Sequence, residues 1–299
     1  MSNPIKHHYI SKFYLKNFTK SGASKQTLFA YDKIKNKYFK SNPKDICHVK
    51  NFNTISYPGK EYIVETEQSK MESTIAKSFK KVIQHNSYPD EEQLIHILSF
   101  ISLISLRHPR MRAIFDKFYE QITDKISMMT MATEERYINT CLQAGIAEND
   151  IIPYEEQKEF VLDKSRYDIK INQEVHIRSE QENMEYLLNI LYQRNWHLII
   201  SDEESGEFIT SDHPVSLISL VKLPPLYGIG YGMKKTEVYF PISKYLAFVG
   251  VFEDYENVNK TIKATKELVK DINMRTYNFA EKQVFSTKKI NYDNLIKQA

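Results

Sequence analysis

Cysteine is scarce in this chain of 299 residues, which contains only Cys47 and Cys141. The two are far apart and no C-x-x-C spacing occurs, so a disulfide framework and a cysteine-rich zinc site are excluded. Two free thiols in a chain of this length are typical of a reducing compartment. The sequence therefore predicts a cytoplasmic protein.

Long apolar runs are also missing. The most apolar stretch, residues 94–106, is too short to cross a bilayer as a helix. The first 15 residues mix lysine and histidine with aromatic residues, which is unlike a secretory signal. We therefore expect neither a membrane span nor a membrane partner.

Several catalytic signatures are absent as well. The sequence has no Walker A loop, no H-E-x-x-H pair and no G-x-S-x-G elbow. Ser211, Asp212 and His213 are adjacent in sequence, and adjacent residues cannot fold back into a Ser-His-Asp triad. The G-x-G-x-G run at 228–232 follows two prolines rather than opening a helix, so it indicates a loop.

Arginine is absent from residues 1–60, yet this section is the most basic part of the chain. It contains 12 lysines against Asp32 and Asp45, a formal charge of +10, and the remainder carries −7. Aromatic residues such as Tyr9, Phe13 and Tyr38 alternate with the lysines. Two interpretations are open. The section is either a surface for single-stranded nucleic acid or a nucleotide, or a set of strands with exposed lysines and buried aromatics.

The hydrophobic pattern predicts strands, then helices, then strands with a closing helix. Helices are expected at 64–84, 90–106, 111–144, 181–193 and 261–275, and Asp90 stands where it can cap the second of them. Strands are expected at 27–31, 37–40, 51–55, 195–201, 207–210, 237–240, 245–251 and 283–286. The first two strands form one predicted hairpin, and those at 195–201 and 207–210 form another.

This order indicates an α+β fold rather than an alternating α/β fold. A mixed or antiparallel sheet is built from N- and C-terminal strands and is packed with a central helical section. We expect a single domain over 1–299, with a basic β-rich section at 1–60, a helical section at 61–193 and a β-rich section at 194–299. The helical section either packs against the shared sheet or forms a sub-domain.

His7 and His8 stand at the head of an aromatic run that ends at Phe18. Because the aromatic side chains are expected to be buried, they hold the two imidazoles against the folded body. A fixed imidazole can bind a metal or transfer a proton.

Glu65 and Glu72 lie on or beside the apolar face of the predicted helix at 64–84. A carboxylate on a buried face requires a partner or a metal. Arg107 ends the apolar helix and is three residues from Arg110, so the two guanidinium groups can clamp a phosphate if helical turn persists through Pro109. The alternative is a structural salt bridge between Arg107 and Glu65 or Glu72.

The segment Ser211-Asp212-His213 follows a predicted strand and precedes a proline. Aspartate at a strand end is a common metal ligand or general base. The alternative is an Asx or ST turn that caps the strand.

Taken together, these segments resemble the DUF4238 family, a bacterial domain of unknown function. The resemblance rests on His7-His8-Tyr9 before FYLKNF, LFAYD at 28–32, Glu65, Glu72, Arg107-x-Pro109-Arg110, FITSDHPV at 208–215, FPIS at 240–243 and Asn273. It covers nearly the whole chain and implies that these motifs meet in space, although it implies no reaction. The family more often has Asn at the position of His213 and Pro near Ser11.

Three functions are open. The first is a metal-assisted phosphodiesterase or nuclease-like hydrolase acting on nucleic acid or a nucleotide. The second is a non-catalytic module that binds nucleic acid or a nucleotide, for example a sensor in a stress or phage-defence system. The third is an interaction protein whose motifs are purely structural.

The hydrolase hypothesis assigns a role to each candidate residue. The catalytic groups are His7, His8, Glu72 and Asp212. The ligands of a divalent metal, Mg²⁺ or Mn²⁺, are His8, Glu65, Glu72 and Asp212. The substrate-binding residues are Arg107, Arg110, Ser211, His213 and Asn273.

Overall fold

The computed structural model describes residues 5–20, 27–224, 227–252 and 260–292. Within these ranges the chain forms eight α-helices and eleven β-strands, so the predicted α+β fold is confirmed. The chain divides into a first unit of residues 1–108 and 177–299, and a second unit of residues 109–176.

The helices are α1 (Lys12–Leu15), α2 (Ile63–His85), α3 (Glu91–Leu106), α4 (Pro109–Thr130), α5 (Glu134–Gln143), α6 (Tyr154–Leu162), α7 (Gln173–Tyr192) and α8 (Lys266–Phe279). The strands are β1 (Lys6–His8), β2 (Leu28–Asp32), β3 (Lys37–Ser41), β4 (His48–Lys50), β5 (Asn195–Ile200), β6 (Thr210–Ser211), β7 (Ser216–Ser219), β8 (Thr236–Ser243), β9 (Leu246–Val251), β10 (Thr261–Lys263) and β11 (Gln283–Ser286).

The strands of the first unit form three sheets. Their strand orders are β1-β4, β10-β5-β9-β8-β7 and β3-β2-β11-β6. In the third sheet β2, from the N-terminal section, pairs antiparallel with β11, from the C-terminal section. The prediction that the two ends of the chain share a sheet is therefore confirmed.

The five-stranded sheet is covered on both faces, which explains why every residue of β9 is apolar or small and buried. Phe240 of β8 packs with Phe79 of α2 and Phe100 of α3 in the main core. Its neighbour Tyr239 belongs to a separate cluster with Val269 of α8. Successive side chains of β8 therefore bind the sheet to helices on opposite sides.

The predicted boundaries of α3 are close to those observed. The Asp90 carboxylate accepts a hydrogen bond from the backbone N–H of Gln93 at 2.8 Å, as its position before the apolar run suggested. The helix ends at Leu106, and Pro109 starts α4, where a proline is well tolerated. No helix within the described ranges is long and apolar enough to span a membrane.

The predicted hairpin between 195–201 and 207–210 is wrong. β5 pairs with β9 and β10, whereas β6 pairs with β11 in another sheet. The Asp202 carboxylate accepts hydrogen bonds from the backbone N–H groups of Glu204 and Ser205, so the turn itself forms. Local hydrogen bonds form the turn, but long-range pairing decides the partner of each strand.

Three other segments also differ from prediction. Residues 51–53 form a turn, and the strand lies just before them at His48–Lys50. Residues 261–263 form β10 beside β5, and α8 begins only after Thr265, whose hydroxyl accepts from the N–H of Leu268. The helical pattern at 111–144 is likewise divided into α4 and α5.

The second unit consists of α4, α5, α6 and the first residues of α7. Its small core contains Met131, Tyr137 and Cys141. Tyr137 donates its hydroxyl proton to the carbonyl oxygen of Ile152, and Tyr154 donates to that of Met131. These bonds tie the connections between its helices to the core.

Candidate functional site

His7 is fully buried on β1 and acts as a structural acceptor. Its Nδ1 accepts a hydrogen bond from the backbone N–H of Asn53 at 2.8 Å. An imidazole nitrogen that accepts is unprotonated, so the ring is neutral with its proton on Nε2. The separation of 3.8 Å between His7 Nδ1 and Glu65 Oε2 is therefore not an ion pair.

Three polar residues on one side of α2 extend this contact. Glu65, Gln68 and Glu72 are spaced i, i+3 and i+7, so they lie along one face. Asn53 Nδ2 donates to Glu65 Oε2 at 3.0 Å and to Gln68 Oε1 at 2.9 Å. Arg107 Nη1 donates to the same Gln68 Oε1 at 2.7 Å. A continuous hydrogen-bonded chain therefore runs from His7 to Arg107.

Arg107 is paired with Glu72 and sealed from solvent. Its Nη2 lies 2.9 Å from Glu72 Oε1, and only 1% of the arginine surface is exposed. This is the structural salt bridge that was the alternative to a phosphate clamp. Arg110 is exposed on α4 in the second unit, and α3 ends before Pro109. The continuous helical turn on which the clamp depended is not formed.

His8, the second imidazole of β1, has a different environment. It hydrogen-bonds to the backbone of Lys44, and its ring centroid lies 5.4 Å from that of His48. Burial, together with the charges of Lys12, His48 and Arg107, lowers the pKa of His8 to about 4. His8 is consequently neutral at pH 7.

Three segments with predicted site residues meet around His108, which follows the end of α3. They are the N-terminal aromatic run, the corner at 107–110 and the turn at 211–214. The Tyr9 ring lies 5.3 Å from the His108 ring, and the His213 ring lies 4.6 Å from it, measured between centroids. His108 Nε2 also donates to the carbonyl oxygen of Asp212 at 2.8 Å. His108 and Asp212 are both buried, so the meeting point is closed to solvent at these side chains.

Asp212 fastens the turn after β6 to the start of β11. Its carboxylate accepts three backbone hydrogen bonds, from Glu281 at 2.9 Å, Lys282 at 2.8 Å and Gln283 at 3.0 Å. Burial raises the pKa of Asp212 to about 6, although these three donors act in the opposite direction. Ser211 Oγ accepts from the N–H of His213, so this segment forms the turn that was the alternative to a metal site.

Asn273, a predicted substrate ligand, belongs to a neighbouring structural bridge. It lies on α8 and is buried. Its Oδ1 accepts from the N–H of Ile209, and its Nδ2 donates to the carbonyl oxygen of Glu207, both at 2.9 Å. The amide thereby holds the extended segment before β6 against α8.

Among the described residues, no three His, Cys, Asp or Glu side chains are grouped so that they can hold a metal ion. The three predicted carboxylate ligands have protein partners of their own, and His8 is engaged through one ring nitrogen, while its buried Nε2 has no hydrogen-bond partner among the described residues. His8 bonds to Lys44, Glu65 to Asn53, Glu72 to Arg107 and Asp212 to the start of β11. The predicted Mg²⁺ or Mn²⁺ ligand set is therefore not assembled from these side chains.

The lysines of the N-terminal section form an exposed group beside His8 and His48. Lys6 on β1 and Lys50 on β4 are direct cross-strand partners. Lys12 and Lys44 adjoin His8 and are also exposed. We call the four lysines the β1–β4 basic surface. In the part of the chain that the structure describes, none of them has an ion-pair partner.

Most aromatic residues of the same section are buried or partly buried, whereas Tyr57 is exposed. Tyr14 and Phe18 are fully buried, and Phe13 packs against the main core. This arrangement corresponds to the second interpretation of the pattern, in which exposed lysines alternate with buried aromatic side chains.

Sequence reasoning did not identify Asn53, Gln68, Lys44 or His108 as parts of the site. Gln68 had a usable signal, because it lies three residues after Glu65 and four before Glu72 on the same helical face. The contribution of Asn53 had no such signal, since its partners lie on α2 and are set by the tertiary structure.

The comparison with known families agrees with the motifs. DUF4238, described as "Protein of unknown function", matches residues 6–289. No curated protein and no solved structure matches the chain. The match spans almost the entire sequence and includes every motif on which the resemblance rested. The chain therefore belongs to the DUF4238 family.

Proposed function

We propose that this protein is a non-catalytic nucleic-acid-binding module that contacts phosphate groups through the β1–β4 basic surface. The observation that carries the proposal is the pairing of Lys6 directly opposite Lys50. Like charges opposite each other on neighbouring strands destabilise a sheet. A polyanion lying across the two strands neutralises both ammonium groups and removes that repulsion.

The surrounding charges support the same interpretation. Lys12 and Lys44 add two exposed cations next to His8, and Lys6 acts on His48. Asp45 is a nearby carboxylate and partly offsets this charge at His48. Lysine contacts to phosphate carry no sequence information and weaken as salt increases. Because most of the aromatic residues of this section pack into the core, we expect little contribution from base stacking.

The predicted catalytic groups favour binding over hydrolysis. A general acid or base must come within hydrogen-bond reach of the substrate. Glu72 is engaged with Arg107, and the Asp212 carboxylate is engaged with three backbone N–H groups. Arg107 is too deeply buried to touch a phosphate on the surface.

Phosphodiester hydrolysis is the second proposal, and one observation favours it. The rings of His108 and His213 lie 4.6 Å apart between centroids, and a fixed imidazole can transfer a proton near neutral pH. In this alternative, His213, the half-buried member of the pair, approaches the substrate.

Fluorescence anisotropy with a short labelled single-stranded DNA tests the binding proposal. The variant is Lys6→Gln/Lys50→Gln, and the matched control is Lys77→Gln/Lys81→Gln, which removes two exposed lysines from α2. We expect the first variant to bind about tenfold more weakly and to lower the salt slope by about 1.4, since each phosphate contact contributes about 0.7. The control should retain the affinity and slope of the unmodified protein.

Equal binding by the two variants, or no salt-sensitive binding by the unmodified protein, would overturn the proposal. A parallel incubation of DNA and RNA with Mg²⁺ or Mn²⁺ tests the alternative. Metal-dependent cleavage that is lost in Glu72→Gln or His213→Gln would establish hydrolysis and overturn a purely binding role.

A further inference from the structure

A pocket between α2, α3 and α7 is lined in part by Gln68, whose side chain also contacts Asn53 and Arg107. Its volume is about 180 Å³, and its apolar wall consists of Met71, Leu103, Leu106 and Met184. A dry cavity of about 150 Å³ lined by similar side chains accommodates one benzene molecule. The pocket is therefore the right size for a single ring or a branched aliphatic group.

Gln68 lines this pocket with an amide group whose orientation is fixed by two hydrogen bonds to its oxygen. Its Oε1 accepts from Arg107 Nη1 and from Asn53 Nδ2, and a guanidinium group can only donate. The oxygen must therefore face Arg107, which turns the amide NH₂ toward the other side. Among the residues that the structure describes, the NH₂ group has no hydrogen-bond partner, and Gln68 lines the pocket.

The charges at the mouth of the pocket select against anions. Glu67 and Glu180 contribute carboxylates to the lining, which contains neither lysine nor arginine. Lys70 pairs with Glu67 from outside the pocket at 2.7 Å. A neutral ligand enters without repulsion, whereas a carboxylate meets a lining that contains acidic residues and no basic residue.

We propose that this pocket binds a small neutral molecule that combines a single apolar ring with a carbonyl acceptor. The ring occupies the space between the two methionines and the two leucines, and the carbonyl oxygen accepts a hydrogen bond from Gln68 Nε2. None of the lining residues belongs to the β1–β4 basic surface, so this site is independent of nucleic-acid binding. Methionine side chains, which adapt their shape, suit a ring-binding wall.

Benzamide is the probe, and benzoate is its anionic counterpart of nearly the same shape. Titration is followed by NMR of ¹³C-methyl-methionine, with Met71 and Met184 assigned from Met71→Leu and Met184→Leu. We expect benzamide to shift both methyl signals with a Kd of about 1 mM, a value suited to so small a ligand. Benzoate should bind at least about tenfold more weakly because of the two carboxylates.

Gln68→Glu is the decisive variant, because it keeps the oxygen that Asn53 and Arg107 require and removes the NH₂ donor. We expect benzamide to bind about tenfold more weakly to it, which corresponds to about 1.4 kcal/mol for one lost hydrogen bond. Met184→Trp should abolish binding by filling the pocket. Met128→Trp, the same change at an exposed position of α4, should leave binding intact.

The proposal is overturned if benzamide at about ten times the expected Kd shifts neither methyl signal. It is equally overturned if benzoate binds as well as benzamide, or if Gln68→Glu, with an unchanged thermal midpoint, binds benzamide as the unmodified protein does. Unchanged binding by Met184→Trp would place the ligand elsewhere and have the same consequence.

Discussion

At the scale of single residues, burial decides what the titratable groups of this protein do. His7 and His8 are adjacent, yet one is a neutral acceptor for a backbone N–H and the other has a pKa lowered to about 4. Asp212 shows the opposite shift, because burial penalises the charged form of an acid and raises its pKa. Burial therefore makes both His8 and Asp212 harder to ionise.

His8 predicts a measurable dependence of stability on pH. The pKa of His8 is lower in the folded chain than in the unfolded chain. Below about pH 6.5 the unfolded chain therefore binds a proton at this residue more readily than the folded chain does, and the free energy of unfolding falls. Between about pH 7.5 and pH 5, this effect costs about 2 kcal/mol. His8→Gln keeps a donor for the backbone of Lys44 but has no group that titrates in this interval. We therefore expect its free energy of unfolding to fall by about 2 kcal/mol less than that of the unmodified protein between these two pH values.

Urea unfolding followed by fluorescence of Trp196, the single tryptophan, measures both proteins. Contributions from other titrating groups, including Asp212, are common to the two proteins and cancel in the comparison. An identical loss of stability in the two proteins would contradict the lowered pKa of His8 in the folded chain.

The sequence predicts which positions hold candidate residues, but it does not predict which residues they contact. The patterns identified Glu72 and Arg107 as polar residues that emerge from apolar faces, and both proved to be largely buried. Whether Arg107 faces a carboxylate or a ligand depends on the packing of α2 against α3. That packing is a long-range property, and no local pattern contains it.

At the scale of elements, α2 has two roles. Its apolar side contributes Ile75, Phe79 and Val82 to the main core. Its polar side presents Gln68 to both the buried hydrogen-bonded chain and the pocket. Gln68 on α2 belongs to both the hydrogen-bonded chain and the pocket lining, so the position of this helix affects both.

The two-stranded sheet of β1 and β4 gives a second prediction. Lys50→Glu places a carboxylate opposite Lys6 and should raise the free energy of unfolding by about 0.5 kcal/mol while weakening nucleic-acid binding. Lys37→Glu is the matched control, because Lys37 lies opposite Asp32 on β2 and the same change creates a repulsion there.

We expect Lys37→Glu to destabilise the protein by a similar amount. Urea unfolding and DNA-binding anisotropy on the same samples check both variants. A fall in stability for Lys50→Glu would show that Lys6 and Lys50 do not repel each other as their register implies.

At the scale of the whole molecule, strands from the N-terminal and C-terminal sections pair in one sheet. β11, near the C-terminal end, lies between β2 and β6 in the four-stranded sheet. Phe285 of β11 is fully buried in the main core, together with Leu28 and Ala30 from the N-terminal section. The first unit therefore depends on contacts between residues that are more than 200 positions apart.

Phe285→Ala should consequently weaken the first unit as a whole. We expect a loss of about 3 to 5 kcal/mol in the free energy of unfolding, the usual effect of removing a fully buried aromatic ring. Circular dichroism and Trp196 fluorescence should report the lower stability together, although Trp196 lies in the other large sheet. Tyr186→Ala, at a highly exposed position of α7, should change stability by less than about 0.5 kcal/mol.

If Phe285→Ala destabilised the protein no more than Tyr186→Ala, β11 would not be integral to the core. A change in circular dichroism without a change in Trp196 fluorescence would instead show that the two large sheets unfold separately.

The sequence by itself determined the α+β class, the extents of α2 and α3, the cap at Asp90 and the family, because these depend on local periodicity, turn chemistry and short motifs. The tertiary structure decided that β6 joins β11 rather than β5, that Arg107 pairs with Glu72, and that the Gln68 oxygen accepts hydrogen bonds from both Asn53 and Arg107. Each of these outcomes compares one distant partner with another. Which distant residue or strand becomes the partner depends on the packing of the whole core. The spacing of residues within a single segment does not determine it.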